Sequence, residues 1–281
     1  KTFRVNEENK DMFIDNNQLD WGNITSALRW NHQFSPKLFA NTTLTHTLYQ
    51  FNIDREYLKN DTTFITNSYY ATTYDYGSSI HDLSLKWDAS YYWSPSTQVS
   101  FGAFVARKGF NAGKSDYFQN NSKESEGSRN LFEAPFRYSM EYGAYGSVKT
   151  AFLNLFYPEL GARYVSYAIN GSTSQFVEPR VSLVVKPRNF PVKLNANYTV
   201  MHQNLHLLNN YGSDMPIDLW VPATEKVVPS EATQFSVGLE YQLNDAFRFS
   251  LGAYQKDLKN VITYQDGEGF SPTDMDWEAK I

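Results

Sequence analysis

His81-Asp-Leu-Ser-Leu-Lys-Trp-Asp-Ala-Ser-Tyr-Tyr-Trp93 is the stretch that decides the fold. Its odd positions read His81, Leu83, Leu85, Trp87, Ala89, Tyr91 and Trp93, while Asp82, Ser84, Lys86, Asp88 and Ser90 fall between them. Side chains on a β-strand point alternately to opposite faces, so this segment has one apolar face and one charged face. A tilted strand crosses a bilayer in about 9 to 11 residues, and the stretch is long enough to do so.

The same period of two recurs along the chain. Val192, Leu194, Ala196, Tyr198 and Val200 alternate with Lys193, Asn195, Asn197 and Thr199, and Phe235, Val237, Leu239, Tyr241 and Leu243 with Gln234, Ser236, Gly238, Glu240 and Gln242. Phe136, Tyr138, Met140, Tyr142, Ala144 and Val148 face away from Arg137, Ser139, Glu141, Tyr145, Ser147 and Lys149. Strands are expected at 19–34, 37–54, 79–94, 97–109, 134–149, 154–169, 175–187, 191–203, 231–243 and 246–265. Short turns at 35–37, 94–96, 150–153, 187–191 and 244–246 alternate with long polar connections at 55–79, 110–133 and 202–231. That asymmetry suits an outer-membrane barrel, with tight turns on one side and large loops on the other. The short connection at 170–174 departs from it. Trp30, Phe34, Tyr91, Trp93, Tyr241 and Phe247 gather at the turn ends, where an aromatic girdle would meet headgroups.

Composition agrees. Aromatic residues make up 16% of the 281 residues, and a mean hydropathy of -0.52 is what a barrel with one wet face gives. No run is long enough for a membrane helix. The sequence contains no cysteine, which removes disulfides and thiolate chemistry, and its net charge of -5 offers no basic tract for nucleic acid. The expected fold is therefore all-β: an antiparallel transmembrane β-barrel, present in part as about ten strands. A soluble, carbohydrate-binding β-sandwich also alternates, but it requires neither the loop asymmetry nor the aromatic belts. An open ten-stranded edge would leave unpaired backbone groups in lipid. Residues 1–281 are accordingly expected to be an internal portion of a barrel domain.

Phe176-Val-Glu-Pro-Arg-Val-Ser-Leu183, the strand through Asn195-Ala-Asn-Tyr198, Asp218-Leu-Trp-Val-Pro-Ala-Thr224, Val228-Pro-Ser-Glu-Ala-Thr-Gln-Phe-Ser-Val-Gly238 and Tyr254-Gln-Lys-Asp-Leu-Lys-Asn-Val-Ile262 resemble the barrel of TonB-dependent receptors, particularly those of Bacteroidetes. The resemblance is specific over 176–264 and only barrel-like before it. It implies a barrel of about 22 strands with an N-terminal plug. It also implies uptake of a scarce nutrient, whether siderophore, haem, vitamin, oligosaccharide or peptide, driven through TonB. The plug, the TonB-contacting segment and the C-terminal strands are expected to lie outside this chain. A surface lipoprotein partner is a family-level expectation. A passive porin-like or adhesive barrel is the alternative.

No nucleophile elbow, Walker loop or H-E-x-x-H motif occurs, so no enzyme and no cofactor are expected. His202 and His206 stand four apart at a strand end and a loop, a weak pattern for metal or haem. Asp266, Glu268, Asp274 and Asp276 lack the order of a calcium loop and read as a solvated segment. Asn-x-Ser/Thr triplets at Asn23, Asn41, Asn60, Asn120, Asn170 and Asn197 read as chance, since three fall in expected strands. Ligand selection would fall to loops and upper lumen, where Tyr69, Tyr70, Tyr74, Tyr211, Asp218 and Trp220 are the candidates. Their rings could stack on sugars, chelates or macrocycles, or simply on one another to hold the loops shut. The lumen charges Arg29, Asp82, Lys86, Asp88, Arg137, Glu141, Arg163, Arg180 and Glu240 are expected to pair across strands or touch a plug; their mixed signs suggest no simple ion filter.

Overall fold

The structure, a computed structural model, describes residues 2–6, 11–61, 68–121, 127–209, 218–269 and 276–281. All ten expected strands are present. They are β2 (Asp11–Ser35), β3 (Leu38–Asp61), β4 (Ser68–Ser94), β5 (Thr97–Asn121), β7 (Arg137–Thr150), β8 (Phe156–Ile169), β9 (Ser172–Val185), β10 (Val192–Gln203), β13 (Ser230–Gln242) and β14 (Arg248–Lys259). Four short strands join them: β1 (Thr2–Asn6), β6 (Ser128–Glu133), β11 (Leu205–Asn209) and β12 (Asp218–Pro222). All but β11 and β12 form one 12-stranded sheet in the order β1-β2-β3-β4-β5-β7-β8-β9-β10-β13-β14, with β6 also paired to β5. Every pairing is antiparallel.

The register shows why alternation was a sound guide. Leu28, Leu44, Leu85, Val105 and Tyr142 pair in turn across β2, β3, β4, β5 and β7. They form one apolar row on the outer face, each side chain 37–72% exposed. In a soluble sandwich such a row would be buried against a second sheet. Here a single sheet turns it outward, as a wall bathed in hydrocarbon requires. Trp30, Phe34 and Trp93 are likewise exposed near the short turns, with Trp30 edge-on to Phe34 and Tyr91 to Trp93. No helix among the described residues is long and apolar enough to cross a membrane.

Two expected loops are largely strand. β3 runs on to Asp61 and β4 begins at Ser68, so most of 55–79 is a ladder; likewise β5 continues to Asn121 and β6 pairs back on it. Residues such as Glu56, Lys59, Thr72 and Asp75 read as loop because neither face meets lipid beyond the membrane. The apolar alternation fades there while backbone pairing persists. β14 stops at Lys259, short of 265, where Asn260 takes a left-handed φ of 58°, a conformation that Asn tolerates. The tight external connection has a physical cause too. Asn170 (φ 50°) and Gly171 (φ 84°) both lie at positive φ, the signature of a two-residue type I′ hairpin turn.

Candidate functional site: the lumen and its inner hairpin

The inner face alternates with the lipid face, so its contents follow from the same register. In its lower part a groove of about 760 Å³ is lined by Lys86, Phe104, Tyr145, Glu159, Arg163 and Arg180, among others. Several lumen charges pair, along one strand or across two. Lys86 Nζ lies 3.0 Å from Asp88 Oδ1, and the Tyr145 hydroxyl donates to Asp88. Arg163 stacks over Phe104 at 4.4 Å, while Lys193 meets Glu240 at 2.6 Å.

Higher up, one carboxylate gathers several elements. Glu141 on β7 accepts Lys108 Nζ at 3.1 Å, Arg163 Nη2 at 3.4 Å and Asn204 Nδ2 at 3.4 Å. Neighbouring Glu178 lies 3.7 Å from Arg163 Nη1 and accepts the His202 backbone N–H at 2.7 Å. His202 is stacked on Phe176 at 4.0 Å, with Glu178 3.5 Å from one ring nitrogen and Glu231 3.4 Å from the other. Glu231 is itself held by Lys259 at 2.8 Å, which keeps its carboxyl below the usual range. This network fastens the wall to the root of the connection between β10 and β13.

That connection carries the inner hairpin. β11 and β12 pair antiparallel from Leu205–Pro222 to Asn209–Asp218. The Ala223 N–H donates to the Asn204 carbonyl at 2.9 Å, and the Tyr167 hydroxyl on β8 donates to the Ala223 carbonyl at 3.0 Å. Leu208, Leu219 and Val221 pack with Phe51, Ile53, Tyr74, Tyr76 and Ala112 of the sheet, with Ala134 of the β6–β7 connection, and with Val227 and Trp277. Phe51, Ile53 and Tyr76 sit on inward register positions, so this cluster lies on the lumen side, where a polar lining was expected. Ile262, Tyr264 and Ile281 pack against its margin, and Arg137 ties in the C-terminal stretch through Glu278. Burial raises the Tyr74 and Tyr76 hydroxyls above their ordinary pKa and pushes Tyr264 up to about 12.

The six candidate ligand residues fall in different places. Tyr74 is buried in the cluster, 4% exposed. Tyr70 packs edge-on against Tyr57 at 6.2 Å. Trp220 is half-buried on β12, opposite Leu207. Tyr69 and Asp218 lie in β4 and β12, while Tyr211 lies outside the described residues. The two histidines take separate roles: His206 is buried in the hairpin, where burial lowers its pKa, and among the described residues no metal-binding group of three forms. Of the C-terminal acids, Asp274 lies outside the described residues, and Glu268 sits in a turn through its N–H to the Gln265 carbonyl.

Glu178, Asn204 and the cluster residues of β3 were not singled out as site residues from sequence, and His202 was weighed only with His206 as a weak metal pattern. A signal existed in the phase of the alternation. On β3 the apolar set moves from Leu44 and Leu48 to Tyr49, Phe51 and Ile53, and on β4 from Leu83 and Leu85 to Tyr74 and Tyr76. Such a change of parity within one strand marks where its outer face leaves lipid and its inner face turns apolar.

A sheet with a lipid-facing apolar band on one side and paired charges on the other defines the wall of an outer-membrane β-barrel. Residues 3–274 match the family model described as TonB dependent receptor-like, beta-barrel, and the chain belongs to that family. It is accordingly an outer-membrane protein of a family of transporters, not enzymes. Among solved structures it is similar to the RagAB peptide transporter, with a TM-score of 0.58 and 9% identity over 90% of this chain and 31% of that one. The copper transporter OprC gives a TM-score of 0.50 and 12% identity over 92% and 50%. BauA, the ferric preacinetobactin receptor of Acinetobacter baumannii, gives 0.49 and 14% over 85% and 38%. At such identities the likeness speaks for the fold alone, and the chain spans only 31% to 50% of the length of these three. No curated protein sequence matches it.

Proposed function

We propose that this chain is part of the barrel wall of an energised importer whose outer mouth is closed by the inner hairpin until ligand is taken. The observation that carries the reading is the apolar cluster joining β11 and β12 to Phe51, Ile53, Tyr74 and Tyr76. Buried apolar surface inside an otherwise charged lumen holds a loop in place without a covalent tie, and such a loop can be released. In this reading a plug, a TonB-contacting segment and further strands belong to the full-length protein, and residues 1–281 supply one portion of its barrel.

Tyr69, Tyr70, Tyr74, Tyr211, Asp218 and Trp220 would meet the nutrient at the mouth, with Tyr74 presented only once the hairpin lifts. Below them the groove offers donors from Lys86, Arg163 and Arg180 beside acceptors from Glu159. Mixed donors and acceptors favour a ligand carrying both, a peptide or an oligosaccharide, over a simple ion. A surface lipoprotein would be a natural holder of such a bulky ligand.

The test uses the full-length receptor in its own host. Growth on peptide, oligosaccharide, siderophore, haem or vitamin as the limiting nutrient is compared between the parent, a strain lacking TonB, and a strain carrying Tyr74→Ala with Trp220→Ala. One nutrient class should fail to support growth in both altered strains. Uptake that persists without TonB would indicate a passive pore and overturn the proposal.

A further inference from the structure

On the lipid side of the wall, one cation sits where hydrocarbon contacts are expected. Arg107 follows Val105 and Phe101 on the outward set of β5, pairs across to Met140 and Leu83, and is exposed. It lies ten steps above Thr97, the first residue of β5 after the short turn. At about 3.4 Å per residue and a tilt of about 40°, that is about 26 Å above the turn, against an apolar band about 25 Å tall. Arg107 therefore stands at the outer rim of the band, where a charge is far less costly than at mid-depth.

Its surroundings are organised. The guanidinium lies over the Tyr138 ring at 4.4 Å, Tyr138 packs on Phe136 at 4.8 Å, and Phe136 meets His81 at 6.2 Å. Both rings lie over Gly109; a Cβ there would come within 2.8 Å of Phe136 and 3.2 Å of Tyr138. Glycine thus makes the shelf on which the aromatic pair supports the arginine. The outward neighbours Leu83, Val105, Met140 and His46 include no carboxylate. Among the described residues Arg107 has no ion-pair partner. Stacking occupies a flat face of the guanidinium and leaves the N–H donors around its edge, a fork that matches phosphate oxygens.

We propose that Arg107, with Tyr138, Phe136 and His81, binds the phosphate of an outer-leaflet lipid headgroup. The stacked arginine supplies the paired donors, and the aromatic pair sits at headgroup level. This rests on the barrel wall alone and is independent of what the lumen transports.

The experiment purifies the full-length protein delipidated in a neutral detergent. Its thermal midpoint and bound lipid by native mass spectrometry are measured with bisphosphorylated lipid A, with the dephosphorylated lipid, and with inorganic phosphate. The parent should gain several degrees and one tightly retained lipid only with the phosphorylated form. Arg107→Gln should lose that difference, and Arg107→Lys should keep a smaller part of it. Tyr138→Leu, which retains the charge, should also reduce lipid retention and serves if the arginine variants insert poorly. A full phosphate-dependent gain in Arg107→Gln overturns the site, and an equal gain from inorganic phosphate overturns its assignment to lipid.

Discussion

Leu208→Ala separates docking of the inner hairpin from stability of the barrel. Leu208 is wholly buried, and its contacts join β11 to sheet residues and to Trp277. Truncating a buried leucine to alanine costs about 2 to 5 kcal/mol. None of that cost falls on the main ladder, because β11 pairs only with β12. If about 3 kcal/mol is lost from docking alone, the undocked population rises about 100-fold, at about 1.4 kcal/mol per factor of ten. Hydrogen exchange of the full-length protein, read on the amides of 205–209 and 218–221 against those of β8 and β9, reports this directly. The expected result is fast exchange in the hairpin with the ladder amides unchanged. Leu251→Ala is the control, since that side chain is 74% exposed on the outer face of β14. Should hairpin and ladder amides accelerate together, or the hairpin not respond at all, the hairpin is not a separately docked unit and the closure argument fails.

Other consequences follow from single groups. Glu178→Ala removes the acceptor of the His202 N–H and one partner of Arg163; leaving a buried donor unpaired costs about 1 to 3 kcal/mol, so the hairpin root should become protease-sensitive, while Glu178→Gln, which keeps an oxygen acceptor, should restore part of the protection. His206 has a folded-state pKa below its ordinary 6.5 because it is buried. Its contribution to docking is complete above that ordinary value and is lost as pH falls through the lowered one, because the undocked state binds the proton more readily. Hairpin exchange should therefore quicken on acidification, and His206→Phe should flatten that part of the profile. The face assignment is tested by charge: Leu85→Lys, in the outward row toward the upper edge of the apolar band, should destabilise folding into vesicles by about 1 kcal/mol. Ser84→Lys, one residue away and facing the lumen, should be tolerated, as shown by denaturant titration of the folded fraction.

The sequence was most legible where the environment was most one-sided. Between His81 and Trp93 lipid lies on one side and water on the other, so the residues alternate and the strand is plain. Above that level both faces of β3, β4 and β5 meet water or protein; Arg55 to Asp61 and Asn111 to Asn121 lost their periodicity and read as loop, although their backbones pair without interruption apart from one bulge. The hairpin was harder still. Leu205 to Asn209 and Asp218 to Pro222 are five residues each, too short for periodicity to speak, and their partners lie on strands more than a hundred residues earlier. Tyr74 was singled out for its ring and its place in a connection, and its contacts could be read only with the hairpin in place.

Unequal strand lengths give the mouth a slope. β4 has 27 residues and β8 and β9 have 14 each, and all of them rise from the same row of short turns. The 13-residue difference amounts to about 33 Å of height at about 3.3 Å per residue and a tilt of about 40°. One flank thus stands like the back of a chair while the other ends in the tight bend at Asn170 and Gly171. In the proposed importer the hairpin would be hinged on the low sill, where Tyr167 and Ile169 pack against Ala223, and braced against the taller wall of β3 and β4.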